Sequence, residues 1–344
     1  MTINIEASLF DNEPPAYAPI EPMPPDRQLV RIGRQLPEGV FLGSSSWNFP
    51  GWRGIVWAPM SGVRGLATRG LKAYAQYPIF RTVGIDRSFY EPLSVEQYRM
   101  FADQVPDNFR FLIKAPQLVT DSVMRDGRGR PVESNAAYLD SSLALEKFIA
   151  PVIEGLGEKA GPLVFELPPL PAFTLREVAQ RRAETDRIIE FLSKLPVQVG
   201  TIKPLYAVEM RSRGLLTPRF IRGVRPTGVR PVISLHPTMP AVMRQIEMLR
   251  ALDAPENLSG DWKLTGDLVV RWSLAAESTY EARKRDWRPF HQLQQPDVVN
   301  REGIAWLIKQ AVKSRVRAFC VANNKAEGCA PLTMRAIAQS VVHA

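Results

Sequence analysis

Short apolar runs recur along this chain, and stretches with helical spacing lie between them. Phe41–Gly43, Phe80–Asp86, Phe109–Lys114, Pro162–Leu167, Tyr206–Met210, Pro231–Leu235, Asp267–Trp272 and Ala318–Val321 read as strands. Most are continuously apolar rather than alternating, as strands are when both faces of their sheet are covered. Between them, Ser94-Val95-Glu96-Gln97 and Thr174-Leu175-Arg176-Glu177 have the capping-box form of helix starts, and Ile304, Leu307, Ile308, Ala311 and Val312 trace one helical face. Eight such alternations predict an α/β fold, a (β/α)8 TIM-barrel-like domain that tolerates irregularity, with a doubly wound open sheet as the alternative. The stretch 251–300, which contains Pro289 and Pro296, is expected to be irregular chain around the seventh strand.

The N-terminal end breaks this pattern. Six prolines among Asp, Glu and Ala in residues 11–25 predict a disordered, Pro-rich tail over 1–27, leaving a single barrel domain over 28–344. A small apolar island, Ala7-Ser8-Leu9-Phe10-Asp11, is similar to the Leu-Phe peptides that bind bacterial sliding clamps but lacks their opening glutamine. Docking to a protein partner through Leu9 and Phe10 is therefore a minor expectation beside an unstructured tail.

A barrel forms its active site where its strands end. Here those ends are Ser45 and Trp47; Asp86, Ser88 and Tyr90; Lys114; Glu166; Glu209 and Arg211; His236; Arg271; and Asn323 with Asn324. Nearly every apolar run finishes in a polar or charged side chain, and that convergence is the argument for a site. The first end is the most telling, because Phe41–Trp52 passes from apolar residues to Ser44-Ser45-Ser46 and then to aromatics, as at a binding mouth or, equally, in a packed aromatic loop.

Each residue type brings its own chemistry and its own plain alternative. Lys114 closes an apolar strand and needs a carboxylate or a ligand. Glu209 and Arg211 share strand parity, so they face the same way. Glu166 and Glu209, from neighbouring strands, would drive each other's pKa values apart as a general acid and base require. The catalytic candidates are thus Glu209, Glu166 and Lys114. Arg211 and Arg271 would hold negative charge, Asn323 and Asn324 hydroxyls, and Trp47 and Tyr90 a ring, with Ser45, Asp86 and His236 completing the ligand set. Mutual neutralisation of the carboxylates by Lys114, Arg211 and Arg271 is the competing account.

Composition narrows the partners. Against 35 Asp and Glu stand 44 Lys and Arg, a net charge of +9 that permits an anionic small molecule or nucleic acid without demanding either. The arginines at 213, 219, 222, 225 and 230 supply much of that excess and read by default as solvated faces. Cys320 and Cys329 are the only cysteines, too few for a disulfide framework or a zinc site, and fit a reducing compartment. No run reaches the roughly 18 apolar residues of a membrane span, and Met1–Asn12 has no secretory pattern, so a cytoplasmic protein without membrane partners is expected. Three histidines are too few for a histidine-rich multi-metal site; the expectation is no cofactor, with a single Mg2+ or Mn2+ on Asp86, Glu166, Glu209 and His236 as the alternative. Phosphate loops, a dinucleotide fingerprint and a Gly-x-Ser-x-Gly elbow are absent.

Several ordered motifs carry a family resemblance. Gly43-Ser44-Ser45-Ser46-Trp47 with Pro50-Gly51-Trp52, Ser88-Phe89-Tyr90, Phe109-Arg110-Phe111-Leu112-Ile113-Lys114-Ala115-Pro116, Gly161-Pro162-Leu163-Val164-Phe165-Glu166-Leu167-Pro168, Glu209-Met210-Arg211 and Asn323-Asn324 resemble the YecE-like family, domain of unknown function 72. The resemblance spans roughly 40–342 and implies a TIM-barrel-like fold with no established activity. Gly84 and Asp86 stand where the family usually has Glu-x-Asn, Glu166 where many members have Gln, and Arg271-Trp272-Ser273 where Arg-x-His is expected. The expectation from all of this is a hydrolase or isomerase that acts on a small anionic, hydroxylated ligand, sugar phosphate or nucleoside-like, by carboxylate acid/base chemistry. A nucleic-acid-binding or processing protein, and a barrel that binds without turnover, are the alternatives.

Overall fold

The computed structural model describes residues 18–127, 129–256 and 262–343. Eleven strands are present among them: β1 (Val40–Ser44), β2 (Phe80–Ile85), β3 (Arg110–Lys114), β4 (Val123–Arg125), β5 (Pro131–Ser134), β6 (Ala160–Leu167), β7 (Leu205–Met210), β8 (Arg230–Pro231), β9 (Ile233–Leu235), β10 (Leu268–Trp272) and β11 (Ala318–Ala322). β4 and β5 form a separate antiparallel hairpin after β3, and the other nine make one parallel sheet in the order β8-β7-β6-β3-β2-β1-β11-β10-β9. The two ends of that order are halves of one run, parted at Val232. β8 bonds only to β7 and β9 only to β10, so the sheet comes round to a nearly closed barrel with helices outside.

The strands sit where the apolar runs predict. Strand parity then sorts their side chains, because alternate residues point to opposite faces. Leu112, Val164, Ala207, Val232, Val269 and Val321 form a small apolar cluster of their own inside the ring, apart from the larger core between strands and helices. Two residues further along, on the same parity, come Lys114, Glu166, Glu209, Ser234, Arg271 and Asn323. The layer above the apolar one is therefore polar, and it is the floor of the mouth.

Local differences from the sequence reading have local causes. The capping box at Ser94 and Gln97 is formed in full. By contrast, the long helix after β6 starts at Val178, following a break at Glu177 from the short helix Ala172–Arg176, so Thr174 does not open it. Val312 lies at the exposed edge of the helix Val298–Lys313, whose buried face is Ile304, Leu307, Ile308 and Ala311. The stretch 251–300 is not all irregular, since Thr279 caps a helix over Tyr280–Asp286. Of the Pro-rich tail, the described part is held: Met23 N donates to Val56 O, and Glu21 exchanges hydrogen bonds with the Ser61 hydroxyl. Leu9 and Phe10 lie outside the described residues. No described helix is long and apolar enough to cross a membrane. Cys320 and Cys329 are buried free thiols.

Candidate functional site

At the C-terminal mouth, three carboxylates and three cations interlock. Register pairs Glu166 of β6 with Glu209 of β7, so both carboxylates enter the ring side by side. Arg271, from β10, reaches across to both: its Nη1 donates to Glu166 Oε2 at 2.7 Å and to Glu209 Oε2, and its Nη2 donates to Asp86 Oδ1 at 2.9 Å. Arg211 Nη2 lies 3.1 Å from Glu166 Oε2 and 2.9 Å from Glu209 Oε1, and it also donates to the Ser273 hydroxyl. Lys114 Nζ sits 3.0 Å from Glu166 Oε1 and 3.6 Å above the Phe89 ring. Ser234 donates to Glu209 Oε1 at 2.6 Å.

With every member ionised, the cluster is neutral. Burial pushes the Glu166 carboxyl up, but Lys114, Arg211 and Arg271 outweigh it and hold the group well below the usual carboxylate range. Burial likewise works against the Arg271 charge, and Glu209, Asp86 and Glu166 more than restore it. Mutual neutralisation, the competing account of these carboxylates, describes this geometry. Glu209, the expected acid or base, is 0% exposed and does not line the cavity; it lies beneath it.

Above the cluster is a cavity of about 620 Å3 onto which Ser45, Asp86, Tyr90, Lys114, Glu166, Arg211, His236, Arg271 and Asn323 all open. Tyr90 is 75% exposed at its rim. The Thr238 N–H donates to His236 Nδ1, which leaves the ring's proton on Nε2. Burial first, then Arg211, lowers this imidazole to about 4, with Glu209 and Glu166 opposing, so His236 is a neutral donor at ordinary pH.

Two of the expected ligand contacts belong elsewhere. Trp47 is 4% exposed, its indole N–H donates to Leu66 O, and its ring packs edge-on against Phe101, so it is core rather than a stacking face. Asn324 is fully buried, and its Oδ1 accepts from Trp52 Nε1 and from Ala330 N at the start of the last helix. Three arginines of the run are engaged within the fold: Arg219 pairs with Asp186, Arg225 donates to the Ala251 and Leu252 carbonyls, and Arg230 is buried against Asp253. Of the alternative Mg2+ or Mn2+ shell of Asp86, Glu166, Glu209 and His236, the three carboxylates are each paired with Arg271. Among the described residues no group of three or more His, Cys, Asp or Glu is placed to hold a metal.

One wall of the cavity was not expected from the sequence. Ser273, Tyr280, Lys284, Arg288 and Phe290 line the cavity from the segment expected to be irregular, and Lys325 joins them from beyond β11. This segment is clamped onto the first loop: Phe49 packs edge-on against Phe290, and Gly51 is small because a Cβ there would meet Pro289 O at 1.8 Å. Lys325 was legible in principle, since it continues the parity of Val321 and Asn323.

A parallel barrel with its polar layer at the C-terminal mouth defines the TIM-barrel-like class. Within that class the chain belongs to the DUF72 family, whose profile, described as "Protein of unknown function DUF72", matches residues 41–344. Two solved structures share the fold. A DUF72 family protein from Thermotoga maritima is 16% identical with a TM-score of 0.53, the match covering 88% of this chain and 97% of that one. A DUF72 family protein from Enterococcus faecalis is also 16% identical with a TM-score of 0.52, covering 89% and 96%. A comparison with curated proteins finds no match. The departures at the mouth have structural correlates: a Cβ on Gly84 would lie 2.8 Å from Ser45 O, so a larger residue there requires the Ser45 backbone to shift, while Asp86 and Ser273 take up Arg271 and Arg211.

Proposed function

We propose that this protein is an enzyme acting on a small anionic, hydroxylated molecule, of the sugar-phosphate or nucleoside kind, held in the mouth cavity. The observation that carries this reading is the charge of the wall above a neutral floor. Arg87, Arg288 and Lys325 line the cavity with no ion-pair partner among the described residues, and Lys284 has only a long contact of 3.9 Å to Glu281. Such a wall concentrates anions. Ser45, Asn323 and the neutral His236 offer hydrogen bonds to hydroxyls, and Tyr90 offers a ring face. A volume of about 620 Å3 is ordinary for a metabolite-sized ligand. In this reading Asp86 and Glu166 face the ligand, proton transfer belongs to groups on the cavity surface, and Glu209 orients Arg271 from below.

Calorimetric titration with inorganic phosphate, glucose 6-phosphate, AMP and unphosphorylated glucose tests this reading. At least one phosphorylated probe should bind, glucose should not, and the double variant Lys284→Ala/Arg288→Ala should lose about tenfold in affinity, or about 1.4 kcal/mol. Equal binding of glucose and its phosphate, or an unchanged double variant, would refute it. The complete pairing of Glu166 and Glu209 favours a second reading, binding without turnover, which product analysis of the bound probe separates from the first.

A further inference from the structure

We infer that Lys325 is a nucleophilic amine, placed to form an imine with the carbonyl carbon of an anionic, hydroxylated aldehyde or ketone in the mouth cavity; this deepens the reading above and rests on it. The ion cluster of the floor makes no use of Lys325, and its environment is unlike that of the other buried cations. Arg211, Arg230 and Arg271 are each neutralised by carboxylates. Lys325 is 3% exposed and has no carboxylate in ion-pair range among the described residues. Its Nζ lies 3.9 Å from the centre of the Tyr280 ring and 5.5 Å from that of Phe290, with Asn323 Oδ1 at 3.3 Å. Water is thus replaced by aromatic faces and one amide oxygen, not by a counter-ion.

The result is an amine still mostly protonated at pH 7 but with about a tenth of it neutral, far more than an ordinary lysine has. Burial first, then Lys284 and Arg288, lowers it to about 8 against the opposing pull of Glu281 and Asp86. An arginine would hold an anion equally well; what distinguishes a desolvated lysine is addition to carbonyls. The nitrogen lone pair forms a C–N bond to the carbonyl carbon while the C=O π pair moves to oxygen. A proton passes from nitrogen to that oxygen, and the carbinolamine loses water to leave the imine. No oxidant or reductant is consumed. Lys284 and Arg288, on the same wall, hold the anionic end.

Trapping with sodium cyanoborohydride, using ribose 5-phosphate as probe and ribose as its neutral counterpart, tests the assignment on the full chain. Mass spectrometry should find the adduct on Lys325 in at least tenfold excess over exposed lysines such as Lys72, Lys203 and Lys313. Trapping should be at least tenfold faster with ribose 5-phosphate than with ribose, and lost in both Lys325→Arg and Lys325→Gln. Site occupancy in the unmodified chain decides the matter even if a variant fails to fold. Adducts spread evenly over surface lysines, or an unchanged rate in Lys325→Arg, would overturn the inference. Calorimetric binding of ribose 5-phosphate without an adduct on Lys325 would overturn it while sparing the anion-binding reading. Preferential labelling of Lys325 at equal rates by both sugars would instead refute anion recognition.

Discussion

Replacing Arg271 by Met removes the cation that joins Asp86, Glu166 and Glu209, and the structure bounds what this costs. Glu166 keeps Lys114 at 3.0 Å and Arg211 at 3.1 Å. Glu209 keeps Arg211 at 2.9 Å and the Ser234 hydroxyl at 2.6 Å. Asp86 loses its partner, but its side chain is 33% exposed and can turn to water. The loss should therefore be that of one broken buried pair, about 3–5 kcal/mol, and not a multiple of it. With an unfolding entropy of about 2.1 cal/mol/K per residue over 344 residues, this is a fall in Tm of roughly 4–7 °C. The cluster would be left with one negative charge too many, which raises a carboxylate pKa in the folded variant. A raised pKa makes the penalty full above it and smaller as pH falls through it. Thermal melts followed by circular dichroism should thus show a larger gap between variant and parent near about pH 8 than near about pH 5. Adding Glu209→Gln restores the charge balance and should return part of the loss. A fall of less than about 1 °C, a gap independent of pH, or no relief from the second substitution would refute the reasoning.

Three further outcomes can be checked the same way. Gly84→Ala puts a Cβ 2.8 Å from Ser45 O and 2.9 Å from its Cα, both backbone, and should cost about 1–3 kcal/mol; an unchanged Tm would show that β1 and β2 part easily. Asn324→Ala leaves the buried N–H groups of Trp52 and Ala330 without their acceptor, at about 1–3 kcal/mol each, yet should leave phosphate-probe affinity in the mouth unaltered, as calorimetry would show. His236 falls from 6.5 to about 4 on folding, so the unfolded chain takes up its proton first. The stability it provides is full above 6.5 and lost as pH falls towards 4, about 1–2 kcal/mol after allowing for its partial exposure. Glu166, held low, adds a loss of the same sign as pH falls below the ordinary carboxylate range. His236→Gln should flatten the upper part of this acid decline in Tm, and an unchanged profile would count against a lowered His236 pKa.

The strands and their inward faces were legible because one period-two signal fixes both: an apolar run that ends in Glu166 or Arg271 places the side chain two residues earlier in the ring as well. What that signal could not carry was depth. Glu209 and Glu166 are register partners, yet only Glu166 lines the cavity, because Arg271 from β10 and Arg211 from the end of Glu209's own strand both pair with Glu209. Trp47 and Asn324 follow polar-looking strand ends but turn into the core, each satisfying a hydrogen bond that only the folded loops create. Lys284, Arg288 and Phe290 were illegible for a different reason. They belong to a segment positioned by docking on Phe49 and Gly51, and no local periodicity records a contact made across more than two hundred residues of chain.

The run Arg230–Leu235 has one further consequence. Where it parts at Val232, the ring is fastened by few main-chain bonds, and the floor cluster spans that same place: Glu209 and Arg211 on one side, Ser234 between, Arg271 and Ser273 on the other. Side-chain charges there act as the clasp of the hoop. A bound anion that draws Arg211 or Arg271 upward would slacken the clasp at the moment the mouth fills. Amide hydrogen exchange across 230–235 is where such a slackening would be felt.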